Sequence, residues 1–148
     1  MKSSTEERPD PTVGPEIVQL FLPQRRPFLM LDRLRSLSLS APPTLHGCRH
    51  ISANEPVFDG HFPDQPVLPG AMIFEGMAQC CAVLAALVSL GTDGETLWAE
   101  LVNLERGLAR DPAHDPQQAQ RFRESLKRPG APGVAGATSL KFIRPVRP

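Results

Sequence analysis

The 148-residue chain predicts an α+β domain in which a β-hairpin and one further strand surround a single long apolar helix, about residues 70–90. Three observations carry that expectation. Ala71 to Leu90 follows a helical pattern for about 20 residues, roughly 30 Å at 1.5 Å per residue, and is apolar nearly all round, as in a helix wrapped by other structure. Two strand-like runs, PFLMLDRL from Pro27 and TLHGCRHIS from Thr44, lie on either side of a polar, proline-rich turn. Between the second run and the helix, FDGHFPDQPVLPG carries Pro63, Pro66 and Pro69, which fix the backbone and suppress helix until Gly70.

Taken in order, residues 1–15 are rich in charge, Ser and Pro and read as a disordered lead-in to a single domain over 16–148. EIVQLFLP, from Glu16, predicts a short helix that must stop at Pro23. On the long helix, Glu75, Gln79, Ala82 and Ala86 fall on one narrow stripe of polar and small residues, and Gly91 and Gly94 are its expected terminators. LWAELVNLERGLAR has some helical periodicity. The stretch 105–136, rich in Gln, Arg, Pro and Gly, reads as a disordered or irregular insertion, after which ATSLKFI predicts a last short strand before Arg144 and Pro145. Three strands are few to cover such a helix, so a partner is expected to supply the rest of the cover or the domain is incomplete.

Composition narrows the function classes. A formal net charge of zero disfavours nucleic acid and anionic membranes as partners. Cys48, Cys80 and Cys81 cannot all pair with one another, and the adjacent two fit a helix as small apolar residues, which points to a reducing cytoplasm. The N-terminus MKSSTEERPDP lacks the apolar core of a signal peptide. Glu75 and Gln79 interrupt the apolar helix early, which is therefore expected in a core and not across a bilayer.

Chemistry concentrates in His61 to Gln79, HFPDQPVLPGAMIFEGMAQ. His61 lies in a proline-stiffened loop, and Glu75 stands on the helix among Ile73, Phe74 and Met77, where desolvation is expected to raise its pKa. The two form a candidate acid/base pair. His46 and His50, four apart on a strand, lack an acidic companion in sequence and are not expected to bind metal. His114 falls in the polar insertion and reads as solvated.

The pattern H-F-P-x-x-P-x-x-P-G followed by a helix carrying E and A-Q resembles the active-site segment of the FabZ-type (3R)-hydroxyacyl-acyl-carrier-protein dehydratases. LPQRRPFLMLDRL and NEPVFDGHFP resemble the segments that precede it, so the likeness runs from Leu22 to about Leu90. The resemblance implies a hotdog fold, an antiparallel sheet wrapped around the central helix. It implies a homodimer or higher homo-oligomer, with His61 of one subunit and Glu75 of the other as catalytic residues. Phe62, Pro69, Gly70, Ala71 and Gln79 would then contact substrate, and the implied reaction converts (3R)-hydroxyacyl-ACP to trans-2-enoyl-ACP in fatty-acid or related acyl-chain synthesis. No metal or redox cofactor is implied, because the substrate arrives on the phosphopantetheine of acyl carrier protein. Arg25, Arg26, Arg144 and Arg147 are the candidate residues for docking that acidic partner.

The chain departs from the family pattern in several places. It has no tyrosine, and Arg26 stands where the family's R-Y-P segment has one. Asp64 replaces the usual glycine after H-F-P, and Gly76 the usual alanine on the helix. FIRPVRP resembles a family segment displaced by an insertion, and the family's later strands do not follow it, so a C-terminally truncated hotdog is expected. The competing reading is a noncatalytic remnant that binds acyl chains or pairs with another hotdog subunit; a hotdog thioesterase fits the motif less well.

Overall fold

The computed structural model describes residues 11–110, 117, 120, 124 and 144–148. Its elements are α1 (Pro15–Phe21), β1 (Arg33–Ser38), β2 (Thr44–Cys48), a 3-10 turn over Pro56–Asp59, α2 (Gly70–Ser89) and α3 (Gly94–Arg110). β1 and β2 pair antiparallel as the expected hairpin, with Arg33 opposite Cys48, Ser38 opposite Thr44 and a bulge between Leu34 and Ser36. The first strand begins later than the apolar run suggested. Residues 27–32 instead form a turn and an extended approach whose Leu29, Met30 and Leu31 are buried.

Residues 11–15 do not belong to a disordered lead-in. Val13 is fully buried and exchanges backbone hydrogen bonds of 2.9 and 2.8 Å with Leu34, so this segment lines the outer edge of β1 before Pro15 opens α1. Residues 1–10 lie outside the described residues. α1 closes at Phe21, as a helix approaching Pro23 must.

α3 takes in residues 105–110, the start of the stretch whose composition predicts an irregular insertion. Leu97, Leu101, Val102 and Leu104 recur at helical spacing and are all buried, which carries the helix to Arg110. Gly94 starts this helix instead of terminating α2. The reason is Asp93, whose Oδ1 accepts the Thr96 N–H at 2.9 Å and so caps the first turn. Those hydrogen bonds also hold the Asp93 carboxyl below its ordinary pKa. Gly91 does end α2, with a positive φ of 69° that other residues adopt only with strain. The remainder of the expected insertion and the expected strand ATSLKFI lie outside the described residues, apart from isolated positions on exposed helix at 117, 120 and 124.

The core joins α1, the approach to β1, the C-terminal half of α2 and α3, through Ile17, Val18, Leu29, Leu34, Val83, Leu87 and Leu101. α2 is long and apolar enough by length and composition to cross a membrane, at a mean hydropathy of 1.9. Its cover is uneven. Val83 and Leu87 are fully buried, whereas Phe74, Met77 and Val88 remain 40, 45 and 45% exposed.

Candidate active site

The loop after the 3-10 turn is tied to itself at several points. His61 N–H donates to the Val57 carbonyl at 3.0 Å, Val67 N–H to the His61 carbonyl at 3.0 Å, and Phe62 and Gln65 exchange hydrogen bonds of 3.3 and 3.0 Å across the turn that contains Asp64. His61 is thereby fixed at the backbone, and its ring is fixed too. Nδ1 lies 2.7 Å from the Val67 carbonyl oxygen. A carbonyl only accepts, so Nδ1 carries the hydrogen and Nε2 of the neutral ring keeps its lone pair free. The Phe62 ring stacks on the imidazole at 4.2 Å between centroids and is 52% exposed.

Pro69 caps α2, and Met72 and Ile73 donate to its carbonyl. Among the described residues, the N–H groups of Gly70 and Ala71 have no partner, so the first turn presents two donors at the positive end of a 20-residue helix. Leu68 N–H donates to the Val146 carbonyl at 2.8 Å, which brings the described C-terminal residues beside this turn. His61, Gly70, Ile73, Arg144 and Val146 line one cavity of about 360 Å³.

Glu75 is not among the residues lining that cavity, and among the described residues no carboxylate is. It is half-buried, not sunk among apolar neighbours, because Phe74 and Met77 beside it are themselves exposed. Its Oε1 accepts from Gln79 Nε2 at 2.8 Å.

Gln79 is the most constrained polar side chain of the helix, 1% exposed. Its Oε1 accepts the Met30 N–H at 2.8 Å, and its two Nε2 hydrogens go to the Phe28 carbonyl and to Glu75, each at 2.8 Å. Every donor it has is used. The amide orientation is therefore set by the backbone, and it forces Glu75 Oε1 to be an acceptor. Gln79 thus braces α2 against residues 28–30, a role the sequence could not reveal because those residues lie some fifty positions away.

A second cluster flanks the site. Asp32 pairs with Arg26 and accepts the His50 N–H at 2.6 Å. Burial pushes its carboxyl up, but the His50 N–H and the Arg26 guanidinium outweigh that and hold it below the ordinary value. His50 Nδ1 is 3.7 Å from Asp32, so the acidic companion that the sequence did not supply comes from β1's approach. Among the described residues, no three His, Cys, Asp or Glu side chains group as metal ligands. Arg49 is held by Glu55 and Met30, and Arg25 donates to the Leu22 and Gln24 carbonyls at 2.7 Å. All four cations expected to meet an acidic partner, Arg25, Arg26, Arg144 and Arg147, are exposed. Burial, with Cys81 adjacent, outweighs a hydrogen bond with the Gly47 backbone and raises the Cys80 thiol pKa, which keeps it neutral.

A family model described as FabA-like domain matches residues 22–106. The 3-hydroxyacyl-[acyl-carrier-protein] dehydratase FabZ of Nitratiruptor sp. is 35% identical over 117 residues, 77% of this chain and 78% of the relative. The protein of the same name from Anaeromyxobacter sp. is 35% identical over 130 residues, 86% of this chain and 80% of the relative. That of Sulfurovum sp. is 50% identical over 68 residues, 46% of this chain and 44% of the relative. The strongest identity thus lies in the shorter matches, and the longer ones extend it at lower identity.

Proposed function

The chain belongs to the FabA-like family, on its FabZ-type hotdog branch, and on that premise we propose that it dehydrates (3R)-hydroxyacyl thioesters carried on acyl carrier protein. The observation that carries the proposal is the His61 ring on the wall of the cavity, held by Val67 at Nδ1 so that the Nε2 lone pair of the neutral ring is left to act as a base. Nε2 takes the C2 proton, the electron pair of that bond moves toward C3, and the C3–O bond breaks. Charge that develops on the thioester oxygen meets the unpartnered N–H groups of Gly70 and Ala71. Glu75 protonates the departing hydroxyl, which leaves as water. Because Gln79 occupies Oε1, that proton rides on Oε2. Protons then pass from the imidazolium to solvent and from solvent to the carboxylate.

The acid comes from a second copy of the chain. Among the described residues no carboxylate lines the His61 cavity, and the exposed apolar face at Phe74 and Met77 beside Glu75 is where that copy would pack. No cofactor takes part in this scheme, and the protein works in the cytoplasm, with Arg26, Arg144 and Arg147 meeting the acidic carrier. The same exposed face favours one other reading, a noncatalytic subunit that pairs with a different hotdog chain.

Hydration of a trans-2-enoyl thioester, the reverse reaction, decides between them. His61→Ala is expected to lower kcat by about a hundredfold to ten-thousandfold with little change in Tm. Mixing refolded His61→Ala and Glu75→Gln chains in equal amounts should return about a quarter of the wild-type rate, since half the dimers then hold one intact site. A folded dimer whose turnover ignores His61 would sink the dehydratase reading.

A further inference from the structure

We infer that the polar cavity between the start of α1, the approach to β1 and the loop after β2 binds the phosphate group of a small organic phosphate. This does not rest on the dehydratase reading, because no residue lines both this cavity and the one at His61. At about 490 Å³ the cavity falls within the range of small-molecule sites. Arg26, Arg33 and Arg49 stand on its wall against the carboxylates of Asp32 and Glu55, which leaves one positive charge in excess. Both carboxylates are spent within the cluster. One Asp32 oxygen accepts from Arg26 and the other from the His50 N–H, while one Glu55 oxygen accepts from Arg49 and the other from the Ser52 N–H at 3.4 Å. They are also recessed, with side chains 12 and 21% exposed, whereas those of Arg26 and His50 are 61 and 68% exposed. A solute entering the cavity therefore meets donors first, and the carboxylates below are already paired.

Arg33 is the cation left to bind. Its guanidinium reaches Thr12 Oγ1 at 3.4 Å and, among the described residues, has no ion pair. Ser52 Oγ accepts the Asn54 N–H at 3.2 Å, which holds the hydroxyl in place and leaves its hydrogen to donate. Guanidinium groups on two segments and a hydroxyl on a third offer donors from separate directions. The three oxygens of a phosphate monoester can accept them together, and the coplanar pair of a carboxylate cannot. Pro15, Pro27 and Pro56 line the same cavity and bring no N–H and a fixed φ, so the organic part of the ligand meets rigid, apolar surface.

The test is isothermal titration calorimetry of the full chain with phenyl phosphate and with inorganic phosphate, at about 0.15 M salt, where exposed charges are screened beyond about 8 Å. Both should bind saturably at one site per chain, phenyl phosphate about fivefold more tightly because its ring is buried against the prolines. Arg33→Gln, at an exposed strand position, should weaken both by about tenfold or more. Ser52→Ala, in an exposed loop, should weaken both by about threefold. Arg35→Gln removes the same charge two residues along β1, at an exposed position outside the cavity, and should change the affinity by less than about twofold. Circular dichroism melts check that each variant is folded. Absence of saturable binding, or equal losses from Arg33→Gln and Arg35→Gln, would leave only diffuse surface attraction and overturn the site. Equal affinity for the two phosphates would overturn the organic ligand.

Discussion

Replacing Gln79 with methionine keeps the volume of the side chain and removes all three of its hydrogen bonds. The buried Met30 N–H then has no acceptor, at about 1–3 kcal/mol, while the Phe28 carbonyl and Glu75 recover part of their loss from water. A net cost of about 3 kcal/mol lowers Tm by about 10 °C for a chain of this size. The comparison is made by thermal unfolding followed by circular dichroism at one fixed protein concentration, because subunit association also moves Tm. Gln79→Glu separates hydrogen bonding from packing. Its carboxylate accepts from Met30 but faces the Phe28 carbonyl and Glu75, acceptor against acceptor, so it destabilises at pH 7. Burial and the facing acceptors raise the pKa of this carboxyl in the folded state, so protonation supplies a donor again and the gap to the wild type should narrow as pH falls from 7 toward the ordinary glutamate value of about 4.3. A Tm for Gln79→Met within about 2 °C of wild type would show that the three bonds do not brace the helix against residues 28–30, and the fixed orientation of Glu75 would fall with them.

Two further outcomes follow from the surrounding geometry. Asp32 has a folded pKa below its unfolded value of about 3.9, so its contribution is present above that pH and lost as pH falls through the lower folded value; Asp32→Asn should therefore be less stable than wild type at pH 7, with the difference shrinking below about pH 4 in acid-denaturation curves. Gly47→Ala places a methyl group 2.5 Å from Leu31 Cδ1 and 3.0 Å from Cys80 Sγ, and this overpacking should cost about 1–3 kcal/mol by urea unfolding; an unchanged midpoint would mean that β2 and α2 are less closely apposed than these distances state.

Some of this protein was legible before any coordinates. The prolines at 63, 66 and 69 and the apolar run after them located α2 to within a residue at each end, since proline restricts its own backbone and that of its predecessor regardless of fold. The hairpin was legible in kind but not in extent. Leu29, Met30 and Leu31 are apolar because they are buried, and burial under a helix and burial in a strand leave the same mark on a short run. α3 was underread for the converse reason: its buried residues recur at helical spacing, but the charged residues between them dilute the signal, and its start depends on the Asp93 cap.

The sequence by itself determined the identity of His61 and Glu75 as the candidate pair, because a motif is a property of order along the chain. Only the tertiary structure decided what state those groups are held in. The free Nε2 of His61 follows from a carbonyl six residues on, and the acceptor role of Glu75 Oε1 follows from Gln79 being gripped by the backbone of residues 28 and 30. Hydrogen bonds across such distances exist only once helix and loop have packed, since their direction is fixed by the backbone each end belongs to.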